Sequence, residues 1–320
     1  MKILVTGAAG FVGKALCQDL LAQGHRVVPA VRRPIGLPDE LVIDNCDADT
    51  DWMPVLAACD AVVHLAARVH VMQETEEEPA ALYRKTNIDA TLNLARQSVR
   101  AGVKRFVFIS TVKVNGEGRD EPYWETDAPA PEDAYAVSKW EAEKGLRQIA
   151  QETGLEVVIL RPPLVYGPGV KANFQRLMCM VERGFPLPLG AIRNRRSLLY
   201  LGNFIDAIRL CVEHPAAAGE TFLLDDGEPV STPALVRALA RAMGRQPRLL
   251  PVPVAALKFG GTVLGKRAAV SRVTGSLYVD SSAIRARLGW IPPYSMQQGL
   301  EFTVAGYEPD QRTPLEECRA

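Results

Sequence analysis

The first sixteen residues restrict what this chain can fold into more than any other stretch. Lys2-Ile3-Leu4-Val5-Thr6 is a run of apolar and β-branched residues with no helical period, which predicts a short buried strand. It runs directly into Gly7-Ala8-Ala9-Gly10-Phe11-Val12-Gly13, and Lys14-Ala15-Leu16 continues as helix. In such a strand–turn–helix the first glycine makes the tight turn and the second lets the backbone approach a pyrophosphate. The third lets the helix pack closely on the strand. The helix N-terminus adds free N–H groups and partial positive charge for the phosphates. A glycine-rich turn can be only a turn, but strand before and helix after point to dinucleotide binding.

The same alternation continues along the chain. Residues 25–31 read as a second strand and Leu41-Val42-Ile43-Asp44 as a third, with a helix over 52–58 and a fourth strand over 61–65. A long helical stretch over 79–101 precedes Arg105-Phe106-Val107-Phe108-Ile109-Ser110, and a helix over 134–151 precedes Glu156-Val157-Val158-Ile159-Leu160. Strands separated by helices imply right-handed crossovers. The expected fold is α/β, a doubly wound parallel sheet of the Rossmann type with helices on both faces. After Arg161 the pattern loosens, with proline and glycine clustered at 162–163, 167–169 and 186–190 and short elements following. This predicts a dinucleotide-binding domain over residues 1–165 and, over 166–320, a smaller lobe interleaved with the sheet. That lobe would close over the crevice at the carboxyl ends of the strands and bind the substrate.

Composition narrows the partners. Lys plus Arg equals Asp plus Glu at 37 each, so net charge gives no support for nucleic acid or a membrane surface. The six cysteines (Cys17, Cys46, Cys59, Cys179, Cys211, Cys318) show neither a CxxC pair nor metal-ligand spacing. They are expected to be reduced thiols in a cytoplasmic protein, with no metal site. The chain opens on a strand and not on a basic leader. Its longest apolar stretch, Leu249 to Leu264, is interrupted by Pro251, Pro253, Lys258 and a glycine pair, so membrane insertion is not expected.

Tyr135-Ala136-Val137-Ser138-Lys139 is the second strong signal. A spacing of four puts Tyr135 and Lys139 on one helix face, a turn apart. A free tyrosine titrates at about 10 and is a poor acid–base catalyst at neutral pH. A neighbouring ammonium and an oxidised nicotinamide favour the phenolate and bring it toward the working range. The pair would also suit a solvated helix face. Ser110-Thr111, just after the fifth strand with hydroxyls toward the crevice, favours chemistry.

With these pieces in place the chain resembles the extended short-chain dehydrogenase/reductases that act on nucleotide sugars. The resemblance rests on the glycine turn, His64-Leu65-Ala66-Ala67, Asn87, Ser110-Thr111, Tyr135 to Lys139 and the stretch Arg161 to Gly169. Arg196 to Leu201 and Leu288-Gly289-Trp290 also match, so it covers nearly the whole chain in order. It implies that Thr111, Tyr135 and Lys139 are catalytic: Thr111 on the reacting sugar oxygen, Tyr135 moving its proton, Lys139 holding the nicotinamide ribose. It further implies a cofactor site of Gly7, Gly10, Phe11, Val12, Gly13, Leu65, Ala66, Ala67, Asn87, Ser110, Pro162 and Leu164 around Tyr135 and Lys139. Asp47 and Asp49 fall near where relatives contact adenine. For a UDP-sugar substrate it implies Arg196 at the diphosphate, with Asn173 and Arg272 as weaker candidates beside Thr111. His64 and His70 invite a catalytic reading, but His64 closes a buried strand and reads as structural. Relatives commonly form homodimers through the two long helices.

Two departures narrow the activity. Nucleotide-sugar dehydratases carry Asp-Glu directly after the threonine, and Val112-Lys113 cannot supply that acid and base. NAD-preferring relatives place an acid at the end of the second strand, where this chain has Val31 followed by Arg32-Arg33. Arginine suits a 2′-phosphate, although two arginines can also be a basic loop in water. NADP(H) is therefore the expected cofactor, with NAD(H) as the other choice. Residues 110–116 are similar to 4-ketoreductases of bacterial surface-polysaccharide pathways. The leading expectation is reduction of UDP-2-acetamido-2,6-dideoxy-hexos-4-ulose to UDP-N-acetylquinovosamine. The alternative is a UDP-hexose 4-epimerase acting on UDP-glucose or UDP-N-acetylglucosamine. A non-catalytic NADP-binding sensor is a third reading, opposed by the presence of Thr111, Tyr135 and Lys139 together.

Overall fold

A computed structural model of the chain describes residues 1–69 and 79–307, which leaves His70 and Cys318 outside the described residues. The strands are β1 (Lys2–Thr6), β2 (Arg26–Val31), β3 (Leu41–Val42), β4 (Ala61–His64), β5 (Arg105–Ile109), β6 (Glu156–Arg161), β7 (Leu164–Tyr166), β8 (Leu198–Tyr200) and β9 (Thr221–Leu223). Between them run α1 (Phe11–Ala22), α2 (Met53–Leu56), α3 (Pro79–Tyr83), α4 (Ala90–Arg100), α5 (Ala134–Thr153), α6 (Ala172–Glu182) and α7 (Leu201–Glu213). α8 (Thr232–Ala242), α9 (Val254–Val263), α10 (Arg267–Thr274), α11 (Ser282–Leu288) and α12 (Met296–Ala305) follow.

Near-continuous apolar runs such as Val62-Val63 and Phe106-Val107-Phe108 are fully buried because helices cover both sheet faces. The sheet is parallel throughout, in the order β3-β2-β1-β4-β5-β6-β9. Strand order reverses between β1 and β4, and an open α/β sheet binds ligands outside the carboxyl ends at that switch point. One core face joins α1 and α7 to the sheet through Leu16, Leu20, Phe204 and Ile208. The other is built by Trp52, Leu94, Phe106, Leu146 and Ile159.

The later part of the chain returns to the sheet through β9 and α7. It also forms a separate two-stranded parallel sheet, β7-β8, with its own core of Tyr166, Phe174, Leu198, Val236 and Leu300. A bridge between Tyr123 and Val279 ties the loop after β5 to this part, reinforced by Tyr278 Oη donating to the Asp120 carbonyl at 2.5 Å.

Three local expectations need correction. The third strand stops at Val42; Ile43 still donates to the Val31 carbonyl, but the chain bends at Asp44. The helical stretch from Pro79 is interrupted at Arg84–Asp89 by a π-helical segment, a feature that no apolar period announces. Cys17, Cys46, Cys59 and Cys211 are free thiols, whereas Cys179 is disulfide-bonded. The lack of local cysteine spacing is silent about long-range pairing. Among the described residues no helix is long and apolar enough to cross a membrane, and no group of His, Cys, Asp or Glu could hold a metal ion.

Candidate active site

The site grows from the glycine turn. Gly7 sits at φ +69°, a conformation that L side chains rarely adopt, and a Cβ there would lie 2.8 Å from the Ala66 nitrogen. The turn after β1 therefore packs directly on Leu65-Ala66 after β4, across the switch point. Gly13 is the closest approach: its missing Cβ would lie 2.2 Å from the Gly7 carbonyl oxygen. The first-turn N–H groups of α1 have no intrahelical acceptor, and Gly10 has no side chain to cap them. Phe11 and Val12 are half-buried beside them.

Behind the turn, a directed hydrogen-bond chain joins β1, β4 and the helices. Thr91 Oγ1 donates to the Asn87 carbonyl at 2.8 Å, so it accepts from His64 Nε2–H at 2.9 Å. His64 Nδ1 is left to accept from the Thr6 hydroxyl at 2.7 Å. Burial, then the charge of Lys139, pushes the His64 imidazole down to about 3. It is neutral, with both nitrogens used. Asn87, in the π-helical segment, donates to the Arg68 carbonyl (3.0 Å) and to Ser138 Oγ (2.9 Å) and accepts from Arg68 N–H (2.8 Å).

α5 carries Tyr135 and Lys139. Asp133 caps it, accepting from Ala136 N–H at 2.7 Å, and the same carboxylate meets Lys113 Nζ at 2.6 Å. Lys113 also reaches Glu117 at 2.7 Å. Burial pulls the Lys113 ammonium down, but these bonds outweigh it and leave its pKa above the ordinary value. Lys113 thus ties the turn that holds Thr111 to the start of the helix that holds Tyr135. Thr111 Oγ1 accepts from Lys113 N–H at 3.3 Å. Tyr135 is half-buried with Tyr83 beside its ring; burial, then Asp133 and Tyr83, raises its phenol. Lys139 is 2% exposed, its Nζ 4.2 Å from the centre of the Phe108 ring. Burial brings it down to about 7 against the opposing pull of Glu143.

Glu143 is a residue that the motif reading missed. One turn beyond Lys139 and fully buried, it accepts from Ser110 Oγ (2.5 Å), Arg161 Nε (3.0 Å) and Nη2 (2.6 Å), and Arg147 (3.0 Å). Arg161 in turn donates to Asn115 Oδ1 at 3.0 Å. The carboxylate locks α5, the end of β5 and the end of β6 together. Its signal was available: Tyr135, Lys139 and Glu143 recur every four residues on one stripe of the helix.

Pro162 is buried beside this network, its carbonyl accepting from Val112 N–H at 3.1 Å, and Leu164 is 44% exposed on β7. Asp47 lies in a turn held by its own bond from Asp49 N–H (3.2 Å) and by Asn93 (3.3 Å). Arg32 and Arg33 are exposed after β2. Arg196 donates through Nη1 to two main-chain carbonyls, that of Arg272 at 2.7 Å and that of Gly275 at 3.3 Å. Arg272 is exposed, as is Asn173 at the start of α6, and no hydrogen bond joins Asn173 to the two arginines.

A dinucleotide fits these residues on three grounds. The start of α1 is uncapped, the buried Lys139 ammonium makes no hydrogen bond or ion pair among the described residues, and Arg68 Nε is buried without a partner. Comparison with known proteins agrees. The NAD dependent epimerase/dehydratase family matches residues 3–224. Over 312 residues, 96% of this chain and 95% of the relative, the sequence is 46% identical to UDP-glucose 4-epimerase of Vibrio cholerae. UDP-N-acetylglucosamine 4-epimerase from Bacillus cereus shares the fold at a TM-score of 0.80 and 22% identity, covering 95% of this chain and 98% of that one. UDP-glucuronic acid 4-epimerase from Bacillus cereus, in complex with NAD, superposes at 0.77 with 25% identity over 96% and 98%. The chain belongs to the NAD-dependent epimerase/dehydratase family.

Proposed function

We propose that this protein is a UDP-hexose 4-epimerase that works with a retained NAD, acting on UDP-glucose or UDP-N-acetylglucosamine. The observation that carries the reading is the 46% identity, over nearly the full length of both chains, to a UDP-glucose 4-epimerase. It displaces reduction as the leading reading. NAD held by the glycine turn and Lys139 would supply the acceptor, and later the donor, of a hydride at C4 of the sugar. Tyr135 takes the C4 hydroxyl proton and returns it after the 4-keto sugar has presented its other face. Burial holds the phenol protonated, and a positive Lys139 together with an oxidised nicotinamide would oppose that and favour the phenolate. Thr111 hydrogen-bonds the same oxygen. Lys113, paired with Asp133 and Glu117, holds the turn and is not a free acid or base for dehydration.

The second reading is the NADPH-dependent 4-ketoreductase that forms UDP-N-acetylquinovosamine. Its specific support is Arg32-Arg33 at the end of β2, where no carboxylate stands to receive ribose hydroxyls. One experiment separates the two. The purified protein is incubated with UDP-glucose without added cofactor, and in parallel with the UDP-4-keto-6-deoxy sugar and NADPH. Formation of UDP-galactose with no net change in reduced nicotinamide is the expected result. Stoichiometric loss of NADPH with the keto sugar, and inert UDP-hexoses, would reverse the order.

A further inference from the structure

α9 and α10 form a helical hairpin that packs chiefly against itself. Gly261 makes the close approach possible, since a Cβ there would lie 2.6 Å from Val270 Cγ2. One end is anchored to the segment before β8. Asn194 Nδ2 donates to the carbonyls of Val273 (3.1 Å) and Gly275 (2.9 Å), and Arg196 to that of Arg272 (2.7 Å). The other end is bare. Phe259, Val263 and Leu264 are 74%, 69% and 73% exposed, and Phe259 and Val263 lie one turn apart on the same face. Scattered surface apolar residues need no explanation, whereas a contiguous group of large ones marks an interaction site.

Charge identifies the partner. The chain is neutral as a whole, yet residues 229–279 contain eight Lys and Arg and no Asp or Glu. Lys258, Lys266 and Arg267 are exposed around the apolar tip. A basic rim around large apolar side chains suits a surface that is both anionic and apolar beneath. Nucleic acid would use the cations and leave the apolar tip in water. A two-fold contact between copies of the chain would set like charges against each other.

We propose that the tip of the α9–α10 hairpin docks on an anionic lipid bilayer, with Phe259, Val263 and Leu264 at the boundary of headgroups and acyl chains. Lys258, Lys266 and Arg267 pair with the headgroups. The hairpin lies in the interface and does not span it, because α9 has only 10 residues.

The test is sedimentation of the full chain with phosphatidylcholine vesicles, with and without phosphatidylglycerol. Binding to the anionic vesicles that weakens with salt is expected. Each basic residue at such a surface is worth roughly fivefold, so Lys258→Gln with Lys266→Gln and Arg267→Gln should weaken binding roughly a hundredfold. Phe259→Ser with Val263→Ser should weaken it roughly tenfold or more. Both variants should keep wild-type turnover of the soluble UDP-sugar, which confirms folding. No association with either vesicle, or equal association with both, overturns the proposal. So does a concentration-dependent dimer that Phe259→Ser abolishes, which would assign the tip to a second copy of the chain.

Discussion

The crevice at the end of the sheet and the α9–α10 hairpin are built on opposite principles. Around the crevice the main buried polar groups are tied to one another: Thr6 to His64 to Thr91, Asn87 to Ser138, and Glu143 to Ser110 and Arg161. The hairpin is held at one end by Asn194 and Arg196 and leaves its largest side chains in water. Unpaired polar groups are costly in a low-dielectric interior, so the crevice tolerates little change. The hairpin can change its surface without disturbing the fold. The proposed chemistry lies in the first region, and the proposed docking surface in the second.

The largest expected effect lies in the crevice. In the proposed mechanism Tyr135→Phe removes a proton needed only as charge develops on the sugar oxygen, so turnover should fall roughly 10²–10⁴-fold while NAD content stays at the wild-type level. Assay of UDP-hexose interconversion beside cofactor content in the purified variant checks both halves. Turnover near wild type would remove Tyr135 from the mechanism.

A comparable loss, in stability rather than rate, is expected at Glu143. Replacing it by Ala strands Arg161, which is 2% exposed, and removing one member of a buried pair typically costs about 3–5 kcal/mol. Urea unfolding of Glu143→Ala, beside Lys144→Ala on the exposed face of the same helix, makes the comparison. A loss below about 1 kcal/mol at Glu143 would mean that the crevice relaxes as easily as a surface.

How legible these regions were in sequence follows from the same contrast. The glycine turn demands glycine for reasons local to a few residues, and Tyr135 and Lys139 mark their helix face by spacing alone. The parallel sheet followed from alternation. Glu143 was less visible because its partners Ser110 and Arg161 arrive from two other strands. The resemblance implies Arg196 at the diphosphate, and the contacts of its Nη1 with the carbonyls of Arg272 and Gly275 were not legible because those residues lie about eighty positions away in sequence. The hairpin was concealed by arithmetic: a chain with 37 charges of each sign looks neutral, although residues 229–279 carry eight Lys and Arg and no Asp or Glu.

His64 offers a smaller test of how sealed the crevice is. Its imidazole titrates at about 3 in the folded chain and near its ordinary 6.5 when unfolded. The unfolded state therefore binds the extra proton first. Stability present above about pH 6.5 is lost as pH falls toward 3, by about 1.4 kcal/mol per unit. Against His64→Gln, which cannot titrate, the wild type should lose about 1 kcal/mol more between pH 7 and about 5.5 in urea unfolding. Equal slopes would show that water reaches the imidazole.

The smallest expected effect is at Arg32 and Arg33, which stand at the edge of the crevice but resemble the hairpin in being exposed. If they are surface charges, replacing both by Gln leaves NAD content and epimerisation unchanged, since such substitutions move stability by no more than about 0.5 kcal/mol. If they hold a 2′-phosphate, the wild type prefers NADPH to NADH in kcat/KM by about tenfold or more, and the double variant loses that preference with NADH unaffected. Exposure argues for the smaller outcome, because charge-assisted bonds weaken where water competes. NADPH and NADH titrations of both proteins decide it. A selective loss of NADPH would make the end of β2 part of the crevice's fixed network and restore the ketoreductase reading. An unchanged pair of titrations would place the two arginines with the hairpin, as surface that the chemistry does not use.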